Sequence, residues 1–294
     1  MRVLVVGAGG QLGRELTGLR GHAHELIGLI RAECDIAQPG AAVRALQQYR
    51  PDAVINCAAW TKVDAAETQP ADAYRANAEG PRLLADACNA HGVLLCHIST
   101  DYVFDGTATT PIPEDAPTSP LGVYGASKLA GENAVREAAP RHQIVRTAWL
   151  YGQAGPNFVV TMLRLGAERE ELKVVADQHG APTWTGHLAP ALLRLLDHGI
   201  PGTYHLTNSG ETTWCDFART IMQAADLRAH VEPTTTAEYG APAPRPAHSV
   251  LDNRAWRALG EAPLRPWEEG LHAYLDQRTA AQSTDPHPGN PREQ

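Results

Sequence analysis

Tyr124 and Lys128 stand four residues apart in Tyr124-Gly125-Ala126-Ser127-Lys128. On a helix that spacing puts both side chains on one face. A phenol with the ordinary pKa of ~10 is a slow acid–base group at neutral pH, and a neighbouring ammonium favours its phenolate. The pair is therefore expected to move a proton, with Lys128 lowering the pKa of Tyr124. Alone the spacing is common, because many such pairs are solvated helix faces. Upstream, Ser99-Thr100-Asp101-Tyr102-Val103-Phe104-Asp105-Gly106 follows an apolar run. Open α/β sheets bind ligands at the carboxyl ends of their strands, so the Thr100 hydroxyl is expected where it can touch a carbonyl. A serine and a threonine that merely close a strand are the plainer reading of the same residues.

A second source of chemistry stands at the start of the chain. Gly7-Ala8-Gly9-Gly10-Gln11-Leu12-Gly13 follows the short apolar run Val3-Leu4-Val5-Val6. Such glycines suit a tight turn, a close approach of backbone to a pyrophosphate, and the packing of helix on strand. The helix that opens at Gln11 and Leu12 would aim its N–H groups at the phosphates. A strand before and a helix after favour dinucleotide binding over a plain turn. The small residues Cys57, Ala58 and Ala59 leave room for that ligand at the end of a later strand. An acid often stands at the tip of the second strand, for the ribose hydroxyls. Here Ile30 and Arg31 occupy the tip, and no acid precedes Glu33. Arg31 is either a surface residue or the partner of a 2′-phosphate, so the cofactor is NADPH or NADH. Asp35 and Ile36 are placed to flank the adenine. Lys128 gains a second use, holding the nicotinamide ribose.

The elements that position these residues follow from hydrophobic patterning. Short apolar runs at 3–6, 26–30, 53–55, 93–98 and 144–145 alternate with helical patterns at 11–19, 41–49, 71–90 and 124–138. That alternation predicts a doubly wound parallel sheet of Rossmann type, α/β in class. Residues 1–150 form the expected dinucleotide-binding domain, with returning segments near 172–208 and 248–258. Residues 151–278 are read mainly as a smaller, discontinuous substrate lobe. Helices are expected at 158–171, 184–196 and 212–225, the last capped by Thr212 or Thr213, and a strand at 202–206. Three prolines make 234–246 a loop, and the polar stretch 279–294 is expected to be disordered.

Composition narrows the class. The 294 residues carry a formal net charge of −8, a poor match to a phosphate backbone, so no nucleic-acid partner is expected. No apolar run reaches the ~20 residues that cross a bilayer, so no membrane partner is expected either. The five scattered cysteines form no C-x-x-C pair, which fits the reducing cytoplasm.

Together these blocks resemble the extended short-chain dehydrogenase/reductases, and among them the dTDP-4-dehydrorhamnose reductases. The similarity runs from Met1 to about Leu275, through residues 7–13, 56–67, 99–106, 119–132, 146–152, 177–183 and 245–252. The S-T-D-Y-V-F-D-G and D-Q-x-G-x-P-T blocks are its most specific parts. The resemblance implies reduction of the 4-keto group of dTDP-4-dehydro-6-deoxy-L-mannose to dTDP-L-rhamnose. It implies that Tyr124 donates the proton, Lys128 supports it and Thr100 binds the keto oxygen. Trp149 would pack on the sugar, while Thr61, Val63, Asp101 and Val103 would line its pocket. Some members are dimers bridged by magnesium through glutamates. Glu15 fits one such position, but Gly186 stands where a second glutamate would be wanted. No metal site is therefore expected, and the chain is read as a monomer or weak homodimer. Two alternatives stay open: a reductase of another dTDP-4-keto-6-deoxysugar, and a non-catalytic dinucleotide-binding subunit resembling the beta subunit of methionine adenosyltransferase.

Overall fold

The structure, a computed structural model, describes residues 1–284. The first half runs β1 (Arg2–Val6), α1 (Gln11–Gly18), β2 (Glu25–Leu29), α2 (Ala41–Tyr49), β3 (Ala53–Asn56), α3 (Val63–Thr68) and α4 (Pro70–Tyr74). A π-helical turn (Arg75–Glu79) leads into α5 (Gly80–His91), followed by β4 (Leu94–Thr100), α6 (Val123–Ala138) and β5 (His142–Thr147). The second half holds β6 (Leu150–Tyr151), α7 (Phe158–Glu168), β7 (Glu171–Val175), β8 (His179–Gly180), β9 (Thr183–Trp184), α8 (Thr185–His198) and β10 (Gly202–His205). It closes with β11 (Thr212–Thr213), α9 (Trp214–Ala224), β12 (His230–Thr234), α10 (Thr236–Tyr239), α11 (Arg254–Ala258) and α12 (Trp267–Thr284).

Six strands form one parallel sheet in the order β2-β1-β3-β4-β5-β10. The inner strands β1, β3 and β4 are largely apolar on both faces because both are covered. Val3, Val5, Ile55 and Val145 pack against Leu12 and Leu16 of α1 and Leu188, Leu192 and Leu195 of α8. Leu4, Val6, Val54, Leu95 and Ile144 face Leu46 of α2, Leu84 and Cys88 of α5 and Val135 of α6. This is the doubly wound Rossmann-type arrangement. The strand order reverses between β1 and β3, where the carboxyl ends of such sheets open a ligand crevice. A third cluster gathers Tyr151, Phe217, Ile221, Trp267, Leu271 and Tyr274 from β6, α9 and α12.

Three stretches depart from the sequence reading. Residues 71–90 are helical throughout but not one regular α-helix: a π turn at 75–79 joins α4 to α5. Within the expected loop 234–246, residues 236–239 are helical because Thr235 and Glu238 form a reciprocal capping box. The stretch 279–284 continues α12, where the sequence reading has a disordered tail; Ala280, Ala281 and Gln282 are good helix formers. Residues 285–294, the rest of that expected tail, lie outside the described residues.

The π turn has an identifiable cause. Asn77, fully buried, accepts from the Trp60 N–H (2.8 Å), donates to the Trp60 carbonyl (3.1 Å) and donates to Ser127 Oγ (3.0 Å). One amide thus satisfies the loop after β3 and ties it to α6, the helix of Tyr124 and Lys128. π turns recur where a helix must re-aim a side chain at a functional site. Asn77→Ala leaves the Trp60 peptide without these partners and is expected to cost about 1–3 kcal/mol. Urea unfolding reads this as a lower midpoint at unchanged slope; an unmoved midpoint would show that the loop holds itself.

Candidate active site

Two cavities meet over the carboxyl edge of the sheet. The first, about 470 Å³, is lined by Gly7, Arg31, Asp35, Ile36, Ala58 and Arg75 among others. The second, about 640 Å³, is lined by Gln11, Leu12, Gly13, Thr61, Val63, Thr100, Asp101, Tyr124, Lys128, Trp149 and Trp214 among others. Gly9, Gly10, Cys57 and Ala59 line both, so the two form one crevice.

The glycine turn is built for close approach. Gly7 has φ +78°, and a Cβ on it would lie 2.5 Å from the Ala58 nitrogen. A Cβ on Gly13 would strike the Gly7 carbonyl. These contacts bring β1, α1 and the end of β3 together with no side chain between them, leaving a bare cradle that fits a dinucleotide. At the far end Asp35 accepts from the Ala37 N–H (3.1 Å) and from Arg31 Nε (3.3 Å). Arg31 is mostly exposed, and this acid is its counter-ion.

The chemistry-bearing residues converge in the second cavity. Thr100 ends β4, and Thr147 stands in register beside it on β5. The Tyr124 phenol lines the same cavity and lies close to the Thr100 side chain. Thr100 Oγ1 donates to Asp101 Oδ1 (3.0 Å) and accepts from the Tyr102 N–H (3.2 Å). Burial pushes the Asp101 carboxyl up to about 6, against hydrogen bonds from Ser249 and Thr100. Lys128 is buried, and its Nζ donates to the Ile98 carbonyl (2.7 Å). Burial depresses it to about 8, with Glu132 and Cys57 pulling the other way. Cys57 is half-buried, and desolvation raises its thiol to about 12.

Three expectations need correction. Tyr124 is not acidified by Lys128: burial pushes its phenol up to about 12, and the lysine makes its hydrogen bond to Ile98 instead. Val103 does not line the cavity. The 3-10 turn Asp101–Val103 swings it into an apolar cluster with Phe104, Ile112 and Leu251, where it is fully buried. Trp149 lines the cavity, but one face of its ring is stacked on Trp214 at 3.5 Å and so is closed to a sugar.

A family model described as the RmlD substrate binding domain matches residues 1–280. The chain belongs to this RmlD family. A Streptomyces griseus protein named dTDP-4-dehydrorhamnose reductase is 51% identical over 281 residues, covering 92% of this chain and 91% of its own. A Streptomyces antibioticus protein named as a probable dTDP-4,6-dihydroxy-2-methyloxan-3-one 4-ketoreductase is 46% identical over 286 residues, covering 96% and 97%. The solved dTDP-4-dehydrorhamnose reductase of Bacillus anthracis, in complex with NADP, is 41% identical with a TM-score of 0.92, covering 94% of this chain and 99% of that one.

Sequence reasoning missed several members of this RmlD-family crevice. Arg75 lines the first cavity from the π turn, whose position no periodicity reveals. Trp214 stands at the head of α9 behind a Thr213 cap, so it reads as an ordinary helix aromatic. Glu15, the residue matched to a magnesium position, accepts from Thr185 Oγ1 (3.0 Å). A Cβ on Gly186 would strike the Trp184 ring, so that position is closed to any longer side chain.

Lys128 yields a stability test. Its folded pKa of about 8 lies below the ordinary 10.5. Below pH 8 the ammonium is charged in both states, and the full burial penalty stands. From pH 8 upward the unfolded chain binds more protons, so this penalty shrinks and is gone by about pH 10.5. Lys128→Met is expected to stabilise the protein by about 3 kcal/mol at pH 7 and by almost nothing at pH 10.5. Urea unfolding at the two pH values checks it; equal midpoints for variant and wild type at pH 7 would refute the account.

Proposed function

We propose that this chain uses NADPH or NADH to reduce the 4-keto group of dTDP-4-dehydro-6-deoxy-L-mannose, giving dTDP-L-rhamnose. The observation that carries the reading is the meeting of Thr100, Tyr124 and Lys128 at one wall of a crevice whose other end is a bare glycine cradle. When bound there, the nicotinamide supplies the reducing equivalent. Gly7, Gly9, Gly10 and Gly13 accept the pyrophosphate, Ile36 and Asp35 flank the adenine, and Arg31 and Arg75 face the 2′-phosphate side. Residues 1–150 serve the cofactor and residues 151–278 mainly the sugar.

Tyr124, protonated at neutral pH because burial raises its pKa, donates to the developing C4 alkoxide. An alkoxide is a stronger base than a phenolate, so the transfer runs downhill. Thr100 shares the keto oxygen with Tyr124, as two donors in an oxyanion site. It has a single hydroxyl proton, directed at Asp101 in the free protein, and must turn it toward the substrate. Lys128 supports the phenolate left behind. Thr61, Val63, Asp101 and Trp149 bound the sugar. The reading includes a cytoplasmic monomer or weak homodimer with no bridging metal. Glu15 is engaged by Thr185, and among the described residues no helix is long and apolar enough to cross a membrane.

A second reading, reduction of a different dTDP-4-keto-6-deoxysugar, is favoured by the Streptomyces antibioticus relative. Loss of NADPH absorbance, followed with several dTDP-keto-sugars, separates the two by their relative kcat/KM. Absence of oxidation with every sugar would leave only the dinucleotide-binding subunit. Tyr124→Phe is expected to cut turnover by about 10²–10⁴ while cofactor binding and the melting point hold. Turnover near that of the wild type would remove Tyr124 from the role of donor. Arg31→Ala is expected to raise the KM for NADPH about 3–10-fold, with NADH nearly unaffected, since only NADPH carries the 2′-phosphate. An equal change for both cofactors would reduce Arg31 to a surface residue.

A further inference from the structure

Trp149 and Trp214 form a parallel indole pair, with centroids 3.5 Å apart and planes 7° from coincidence. Both line the 640 Å³ cavity that holds Thr100, Tyr124 and Lys128. Trp149 keeps its place with a left-handed backbone, φ +47°, a conformation that a bulky side chain avoids unless its surroundings fix it. Its surroundings do so from two sides. Trp214 covers one ring face. A Cβ on Gly180 would strike Cε2, Nε1 and Cζ2 of Trp149, near the middle of the indole, and that contact falls on the face Trp214 leaves open. Only glycine at 180 admits the ring.

Trp214 is fixed in its turn. Its Nε1 donates to Gln178 Oε1 (3.2 Å), and Gln178 Nε2 donates to Thr236 Oγ1 (2.9 Å). Thr236 donates from its backbone N–H and its hydroxyl to Asp177 (2.9 and 2.6 Å). Phe158 packs on Trp214 with centroids 4.5 Å apart. The segment Asp177-Gln178-His179-Gly180 therefore serves the indole pair: Gln178 aims one ring and Gly180 seats the other.

We propose that Trp214 is a positioning and specificity-determining residue of this site, holding Trp149 edge-on so that the pair forms a fixed apolar wall against the sugar. The proposal rests on the keto-sugar reductase reading and deepens it. The sandwiched Trp149 offers the ligand its edge, and a hydroxyl-poor deoxysugar ring is the substrate class that such a wall suits. A hydroxyl pressed on the wall would lose its water without gaining a partner.

The test uses the intact protein with Trp214→Ala and Trp214→Phe. Two indoles this close couple their strong transitions, so the wild type is expected to give a far-ultraviolet circular-dichroism exciton couplet that both variants lose. Trp214→Ala is expected to raise the KM for the dTDP-4-keto-6-deoxysugar about tenfold or more, while the dissociation constant for NADPH stays within about twofold. Trp214→Phe, which keeps an aromatic plane beneath Trp149, is expected to recover most of that loss. A role confined to folding would instead move the melting point and NADPH binding together. If the wild type turns over the keto-sugar and Trp214→Ala does so with the same KM, the proposal is wrong and the reductase reading survives. If the wild type neither oxidises NADPH with any keto-sugar nor binds dTDP-L-rhamnose by calorimetry, the reductase reading fails and takes the proposal with it.

Discussion

One buried carboxylate sets the geometry of the site. Glu132 is fully buried, one turn beyond Lys128 and two beyond Tyr124 on α6. It accepts four hydrogen bonds: from Ser99 Oγ (2.6 Å), from Arg146 Nε and a terminal nitrogen (2.9 and 2.8 Å), and from Arg136 (2.8 Å). Burial alone would raise its pKa, but the two guanidinium groups and the Ser99 hydroxyl more than reverse this and hold it below the ordinary range. Ser99 precedes Thr100 on β4, and Arg146 precedes Thr147 on β5. A single carboxylate thus registers α6 against the ends of both strands. Removing one partner from such a buried pair costs about 3–5 kcal/mol, because the survivor keeps its charge and loses its match.

The site is stiff around this point and costly within it. Lys128 and Asp101 are both buried with their pKa values displaced against ionisation, to about 8 and about 6. Neither displacement helps the fold. Such displaced groups gather where chemistry needs them, and stability is found elsewhere to offset them. Here the offset comes from two well-filled faces of the sheet and from paired networks such as Glu132–Arg146 and Arg245–Asp64.

The sheet was legible because period and punctuation agree along the first half. Runs such as Val3-Leu4-Val5-Val6 are too apolar for anything but strands covered on both faces, and glycine marks the first turn. Tyr124, Lys128 and Thr100 were legible for a related reason: each is tied to a regular element, so spacing and strand ends locate it. What was lost depends on partners distant in the chain. The π turn exists because Asn77 finds Trp60 and Ser127, 17 and 50 residues away. The Trp149 pose exists because Gly180 and Trp214 arrive from other strands and helices. Val103 was misplaced because the resemblance that put it in the sugar pocket does not show that a 3-10 turn carries its side chain into the apolar cluster with Phe104, Ile112 and Leu251. The phenol's pKa was misjudged because proximity in sequence does not tell which acceptor an ammonium chooses.

Cys57 borders both halves of the crevice, so its sulfur shares the space that a ketone bound there would enter. A thiolate there would add to the carbonyl and hold the sugar as a dead-end hemithioketal. Desolvation keeps the thiol protonated up to about pH 12, although Lys128 favours the anion. The sulfur therefore behaves as a small apolar filler, slow toward ketones, peroxides and alkylating agents alike. A residue that could poison its own active site is disarmed by the same dryness that raises the tyrosine and depresses the lysine.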